Sequence, residues 1–179
     1  MRSIMNISEV ANYLRVTTKT IYRLLKRGGI PAAKVGRSWR FNRATIDEWL
    51  RNKSITTKAS ILIVDDEEVI RALFKETLMR LGHSVITAET GSKAVELVRQ
   101  QDFALVFLDL KMPGLDGAEI FSQIKAIKPN LPVTIVTGYP ESDIMVRALA
   151  QGPFGVMNKP FGGSDIIAAV NIFLQITEQ

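Results

Sequence analysis

From residue 60 onward, short apolar runs alternate five times with helical patterns, and this alternation restricts the fold more than any other feature of the chain. The runs are Ile61–Val64, Ser84–Ala88, Ala104–Leu108, Val133–Val136 and a weaker one near Val156-Met157. Helical patterns occupy Val69–Leu81, Ser92–Gln101, Ala118–Ile127, Asp143–Ala150 and Ser164–Gln175. A run such as Ile61-Leu62-Ile63-Val64, apolar at every position and rich in β-branched residues, suits a strand buried on both faces. Five β/α units of this kind predict a parallel sheet covered by helices on both sides. In such sheets ligands bind beyond the carboxyl ends of the strands.

Those ends carry the chemistry. The first strand runs into Asp65-Asp66, the third into Asp109 and the fourth into Thr137, while Lys159 follows the fifth. Three carboxylates in one crevice repel each other, and a hard divalent cation with oxygen ligands relieves the repulsion; Mg²⁺, which keeps several waters, suits the site best. Asp109 then serves as nucleophile for a covalent phosphoryl intermediate. Lys159 offsets charge on the transferred oxygens and Thr137 hydrogen-bonds one of them. An acidic pair after a strand is often only a solvated loop, and a lone Thr or Lys means less still. The signal is their joint occurrence at successive strand ends. A phosphohydrolase of the haloacid-dehalogenase type needs a second Asp two residues after the nucleophile, where this chain has Lys111. A dinucleotide-binding enzyme needs a Gly-rich turn after the first strand, where this chain has Asp-Asp-Glu-Glu.

Ile63-Val64-Asp65-Asp66-Glu67, the run from Asp109 through Met112-Pro113-Gly114-Leu115-Asp116-Gly117, Thr137-Gly138 and Lys159-Pro160-Phe161 together resemble the receiver domain of bacterial two-component response regulators. The resemblance covers residues 60–179. It implies a flavodoxin-like five-stranded parallel sheet of order 2-1-3-4-5 and phosphorylation of Asp109 by a histidine kinase or phosphotransfer protein. It further implies Mg²⁺ held by Asp65, Asp66, Asp109 and the backbone carbonyl of Lys111, and a cis peptide at Lys159-Pro160. Val156 stands where receivers usually carry an aromatic, with Phe154 close by and Pro153 stiffening the preceding turn. The one histidine of the chain, His83, sits in a helix-to-strand turn and reads as a loop residue, so the phosphoryl donor is another molecule.

Charge separates the first third of the chain from the rest. Residues 1–59 hold thirteen Lys and Arg against three acids, a net +10; residues 60–179 hold ten against fifteen, a net −5. So basic a segment signals a polyanionic partner. Asn6 and Glu9 have capping-box spacing, with Met5 and Val10 as a staple, and predict a helix from about Ile7 to Leu14 that buries Val10, Ala11 and Leu14. Thr17 caps a second helix, Thr18 to about Lys26, with Ile21, Leu24 and Leu25 inward. Thr18, Lys19, Tyr22, Arg23 and Lys26 are left on its outer face. The stretch Ala33–Phe41 reads as a hairpin with Val35, Trp39 and Phe41 on one face, Lys34 and Arg40 on the other and Arg37 near the tip. Asn42 caps a third helix with Ile46, Trp49 and Leu50 inward, and both tryptophans read as core.

Ile7-Ser8-Glu9-Val10-Ala11, Val16-Thr17, Thr20–Leu24, Val35-Gly36-Arg37 and Trp39-Arg40 make this segment similar to the excisionase family of MerR-like winged helix-turn-helix domains. The resemblance implies a second helix in the major groove of DNA and a hairpin along the backbone or minor groove. Lys19, Arg23, Lys26, Lys34, Arg37 and Arg40 can neutralise phosphates, and about six such contacts predict a log–log salt slope near −5. Thr18, Lys19, Tyr22 and Arg23 are placed to read base edges. So small a module binds weakly alone, which favours a two-fold partner or a second site.

The expected organisation is a DNA-binding domain over 1–52, a polar linker over 53–59 and a receiver over 60–179. The helix over 164–175 is apolar nearly all round, which fits either homodimerisation or packing against the first domain. With no cysteine, disulfides, Cys-ligated zinc and thiol catalysis are excluded. No signal-peptide core or 20-residue apolar span is evident, so a cytoplasmic protein with no membrane partner is expected. The chain reads as a DNA-binding response regulator whose only catalysis is its own aspartyl phosphotransfer and dephosphorylation. The alternative is a DNA architectural or recombination factor using its receiver for protein–protein contacts.

Overall fold

A computed structural model describes residues 4–26, 28–52, 58–114 and 116–177. The chain forms two compact units, one of Met1–Thr57 with Ala168–Gln179 and one of Lys58–Ile167. Most of the expected linker, residues 53–57, lies outside the described residues, as does Leu115 of the Asp109 motif.

In the first unit, β1 (Ile4–Met5) leads into α1 (Ile7–Leu14) and α2 (Thr18–Lys26), followed by β2 (Ala33–Val35), β3 (Ser38–Asn42) and α3 (Arg43–Asn52). The capping box at Asn6 and Glu9 closes in both directions, at 2.7 and 2.9 Å. Thr17 Oγ1 accepts from the Thr20 amide at 3.2 Å, and Asn42 Oδ1 accepts from the Ala44 amide at 2.9 Å, as their capping roles require. Val10, Ala11, Leu14, Ile21, Leu24, Phe41 and Ile46 form the core. The strands make an antiparallel sheet of order β1-β3-β2. β1, only two residues long, is too short to show alternation in sequence.

The hairpin corrects the expected faces. Gly36, at φ +61°, opens a two-residue turn that pairs Val35 with Ser38 and Lys34 with Trp39. Directly paired residues share a face, so Lys34 lies with Trp39 and Phe41, while Val35 is exposed. Neither tryptophan is core: Trp39 and Trp49 are both half-buried. The innermost positions go instead to Phe41 and Ile46.

In the second unit, β4 (Ser60–Val64), β5 (Ser84–Ala88), β6 (Leu105–Asp109), β7 (Val133–Thr137) and β8 (Gly155–Asn158) alternate with α4 (Glu68–Arg80), α5 (Gly91–Gln100), α6 (Gly117–Ile127) and α7 (Asp143–Ala150); α8 (Gly163–Thr177) follows, and its residues from Ala168 onward belong to the first unit. All pairs are parallel and the order is β5-β4-β6-β7-β8, which is 2-1-3-4-5 counted within the unit. β6 and β7 are buried at every residue. One core joins Leu62, Val106, Leu108 and Ile135 to Val98 of α5, Ile120 and Phe121 of α6 and Ala148 of α7. On the other face Phe74 of α4 meets Phe107 at 4.8 Å between ring centroids and Phe161 at 5.4 Å. The register sets Val64 beside Leu108 and Asp109 beside Val136, so the polar strand ends align along one edge. In α8, Ile166, Ala169, Val170, Ile172, Phe173 and Leu174 are buried within the single chain. No helix among the described residues is long and apolar enough to cross a membrane.

Candidate phosphoacceptor site

The site is built where β4, β6 and β8 end. Asp65 and Asp109 are buried there, and the Lys159 side chain reaches both. Its ammonium stands 2.7 Å from Asp109 Oδ2, 2.9 Å from Glu67 Oε1 and 3.0 Å from Asp65 Oδ2. Asp109 Oδ1 accepts from the Lys111 amide at 2.9 Å, and Asp65 Oδ1 accepts from the Glu67 amide at 2.9 Å. Both acids thereby turn their own loops, since a short side-chain acceptor bonding the amide two residues on is an Asx turn. The Lys159-Pro160 peptide is cis.

Burial pushes the Asp65 carboxyl up to about 6; the Lys159 ammonium and the Glu67 amide oppose that rise, and the Asp109 charge adds to it. Burial alone would discharge Lys159, yet hydrogen bonds to Asp109 and Glu67 and the ion pair with Asp65 hold it above the ordinary lysine range. One ammonium thus serves three carboxylates, leaving a local excess of negative charge. Asp65 Oδ2 is buried and, although 3.0 Å from the ammonium, accepts no aligned hydrogen bond. Oxygens of Asp65, Glu67 and Asp109 converge within 4.8 Å of one another. An orphaned buried carboxylate oxygen within a surplus of hard anionic donors fits a divalent cation.

The other expected residues fall into place less uniformly. Asp66 is exposed and lines the same cavity, together with Lys111, Met112, Gly138 and Tyr139. Thr137 is buried at the end of β7, and its Oγ1 accepts from the Tyr139 amide at 3.0 Å. That bond does not use the hydroxyl proton. The Lys111 side chain lies over the Tyr139 ring, 3.7 Å from its centroid.

Sequence reasoning missed three contributors. Glu67, part of the acidic motif, takes one of the three contacts to Lys159. Arg71 donates at 2.8 Å to the carbonyls of both Asp65 and Asp66, fixing the acidic loop from the next helical turn. Tyr139 supplies the aromatic rim. The only available signal was proximity along the chain to Asp65 or Thr137.

Residues 61–171 match the Response regulator receiver domain family, and residues 4–54 match a Helix-turn-helix domain family. The chain belongs to the response regulator family. Sporulation initiation phosphotransferase F of Bacillus subtilis is 37% identical over 116 residues, covering 65% of this chain and 94% of that protein. DNA-binding transcriptional regulator NtrC of Klebsiella pneumoniae is 35% identical over 61% of this chain, which spans only 23% of NtrC. Among solved structures, a CheY-like receiver from Methanospirillum hungatei superposes with a TM-score of 0.63 at 26% identity, over 69% of this chain and all of that one. The beryllofluoride-activated DrrB receiver domain gives 0.59 at 28% identity, over 66% of this chain and 98% of that one. This response regulator thus carries its helix-turn-helix domain ahead of its receiver.

Proposed function

We propose that Asp109 is the phosphoacceptor of a two-component relay and that its modification changes how the N-terminal unit engages DNA. The observation that carries this reading is Lys159, whose ammonium stands 2.7 Å from Asp109 Oδ2 while also bridging Asp65 and Glu67. An Asp109 carboxylate oxygen attacks the phosphorus of a donor phosphohistidine. The new P–O bond forms as the P–N bond breaks, and the electron pair leaves with the imidazole. Lys159 offsets charge on the transferred oxygens and the Thr137 hydroxyl donates to one of them. Asp65, Asp66, Asp109 and the Lys111 carbonyl would hold Mg²⁺, with Asp66 reaching it from the mouth of the cavity. When bound, the ion supplies charge neutralisation at the phosphoryl group.

The DNA surface comprises Thr18, Lys19, Tyr22, Arg23 and Lys26 on α2 and Lys34, Arg37 and Arg40 on the hairpin. Pairing of two chains on activation would add the second half-site that so small a module needs. A cytoplasmic setting suits a kinase-fed regulator. Residues 1–52 and 60–179 are the domain limits that this reading assigns.

Acetyl phosphate with Mg²⁺ should label wild type and leave Asp109→Asn unlabelled on a phosphate-affinity gel. Equal labelling of the variant would remove Asp109 from the role. DNA affinity and oligomeric mass should both change when beryllofluoride is added to wild type and not to Asp109→Asn. If neither changes, the receiver does not control DNA binding, and the architectural alternative takes precedence.

A further inference from the structure

We propose that Arg147 of α7 is a positioning residue for the loop after Asp109: through Asp116 it holds in place the backbone whose Lys111 amide orients the Asp109 carboxylate. This role rests on the reading of Asp109 as phosphoacceptor given above. Arg147 donates to Asp116 Oδ2. The backbone of Asp116 pairs with that of Lys111 in an isolated antiparallel bridge. The Lys111 amide in turn donates to Asp109 Oδ1 at 2.9 Å. A side chain on α7 is thereby connected, contact by contact, to the carboxylate at the end of β6.

An exposed ion pair usually contributes little, because two long side chains must be ordered at once. Here the acid is short and fixed beforehand. Asp116 Oδ1 accepts from the Ala118 amide at 2.9 Å as the N-cap of α6, which leaves Oδ2 turned to Arg147. The base stands on an anchored helix: Ser142 caps α7 by accepting from the Met145 amide at 3.3 Å, and Met145 and Ala148 are buried in the core. One turn beyond Arg147, Gln151 reaches the same end of α6. Its Nε2 donates to the Ala118 carbonyl at 3.0 Å, and its Oε1 accepts from the Ser122 hydroxyl at 2.8 Å. Residues four apart share one helix face, so Arg147 and Gln151 grip the start of α6 together. The loop has little slack to absorb a movement of Asp116, since Gly117 leaves no room for a Cβ against Leu110. Lys111 over the Tyr139 ring is a further tie, so losing Arg147 loosens the loop without unfolding it.

Amide hydrogen exchange in the full-length protein without added metal reads the Lys111 amide directly. Arg147→Ala should lower its protection about threefold and leave Leu62 and Ile135 of the sheet unchanged. Asp116→Asn keeps the capping oxygen and removes the charge, so it should do the same. Arg147→Ala in that background should then add nothing, because the two residues act as one contact. Salt at about 1 M should bring wild type towards the variants. With acetyl phosphate and Mg²⁺, the initial rate of Asp109 labelling should fall by a similar factor in both single variants. Unchanged protection at Lys111, additive effects of the two substitutions, or an equal loss of protection at Leu62 and Ile135 would each overturn the proposal. So would a loss of protection at Lys111 with labelling as fast as in wild type. If Lys111 responds as expected but not even wild type is labelled, the phosphoacceptor reading fails and the hold of Arg147 on the loop stands.

Discussion

Lys159 is the residue on which the receiver site depends, because among the described residues it alone pairs with three carboxylates at 2.7–3.0 Å. Replacing it with Gln keeps a hydrogen-bond donor and removes the charge. Labelling of Asp109 by acetyl phosphate should then slow by roughly 100-fold, measured as the initial rate at saturating Mg²⁺. His83 offers an independent residue-scale test. It is buried, its Nδ1 accepts from the Ala59 amide at 3.3 Å and its Nε2 has no partner, so burial lowers its pKa below 6.5. The unfolded chain takes up a proton near 6.5 that the folded imidazole resists. The contribution of His83 to stability is therefore complete above that pH and declines as pH falls through the folded value. Asp65 acts in the opposite sense: its raised value favours the fold at low pH, and that contribution is lost as pH rises through about 6. Subtracting the stability of His83→Gln from that of wild type between about pH 5 and pH 7.5 isolates the imidazole; a flat difference would refute its burial in the neutral form.

At the level of elements, α6 begins hard against the loop that follows Asp109. A Cβ on Gly117 would lie 2.4 Å from Leu110 Cα and 2.5 Å from its carbonyl oxygen, and backbone cannot yield as a side-chain tip can. Gly117→Ala should cost roughly 1–3 kcal/mol in urea denaturation and also slow phosphorylation, since the displaced loop carries the amide that holds Asp109. By contrast, Gly91 would meet only the end of the Ile120 side chain, which can rotate away, so Gly91→Ala should be milder. The helices and strands of the receiver were legible because their periodicities are long and consistent; α4 through α8 start and end within two residues of their expected limits. The hairpin was not, because a three-residue strand cannot reveal its register. The two-residue turn at Gly36 determined it instead, moving Lys34 to the side of Trp39.

For the whole molecule, the opposite charges of residues 1–59 and 60–179 make salt the most informative variable. If the basic face of the first unit neutralises about six phosphates, duplex affinity should fall with a log–log slope near −5 in a titration from about 50 to 200 mM salt. A slope near zero would mean that the +10 charge of residues 1–59 is merely solvated.

The sequence by itself determined the order of elements, the parallel sheet, the two-domain character and the positions of Asp65, Asp109, Thr137 and Lys159 at strand ends, because each follows from local periodicity. Tertiary structure alone decided which groups meet. It gave Lys159 to Glu67 as well as to the two buried aspartates, set Arg71 on the acidic loop, took Trp39 out of the core and buried Ile166, Val170, Ile172 and Phe173 of α8. These outcomes depend on distances between residues far apart along the chain, and periodicity carries no information about such distances.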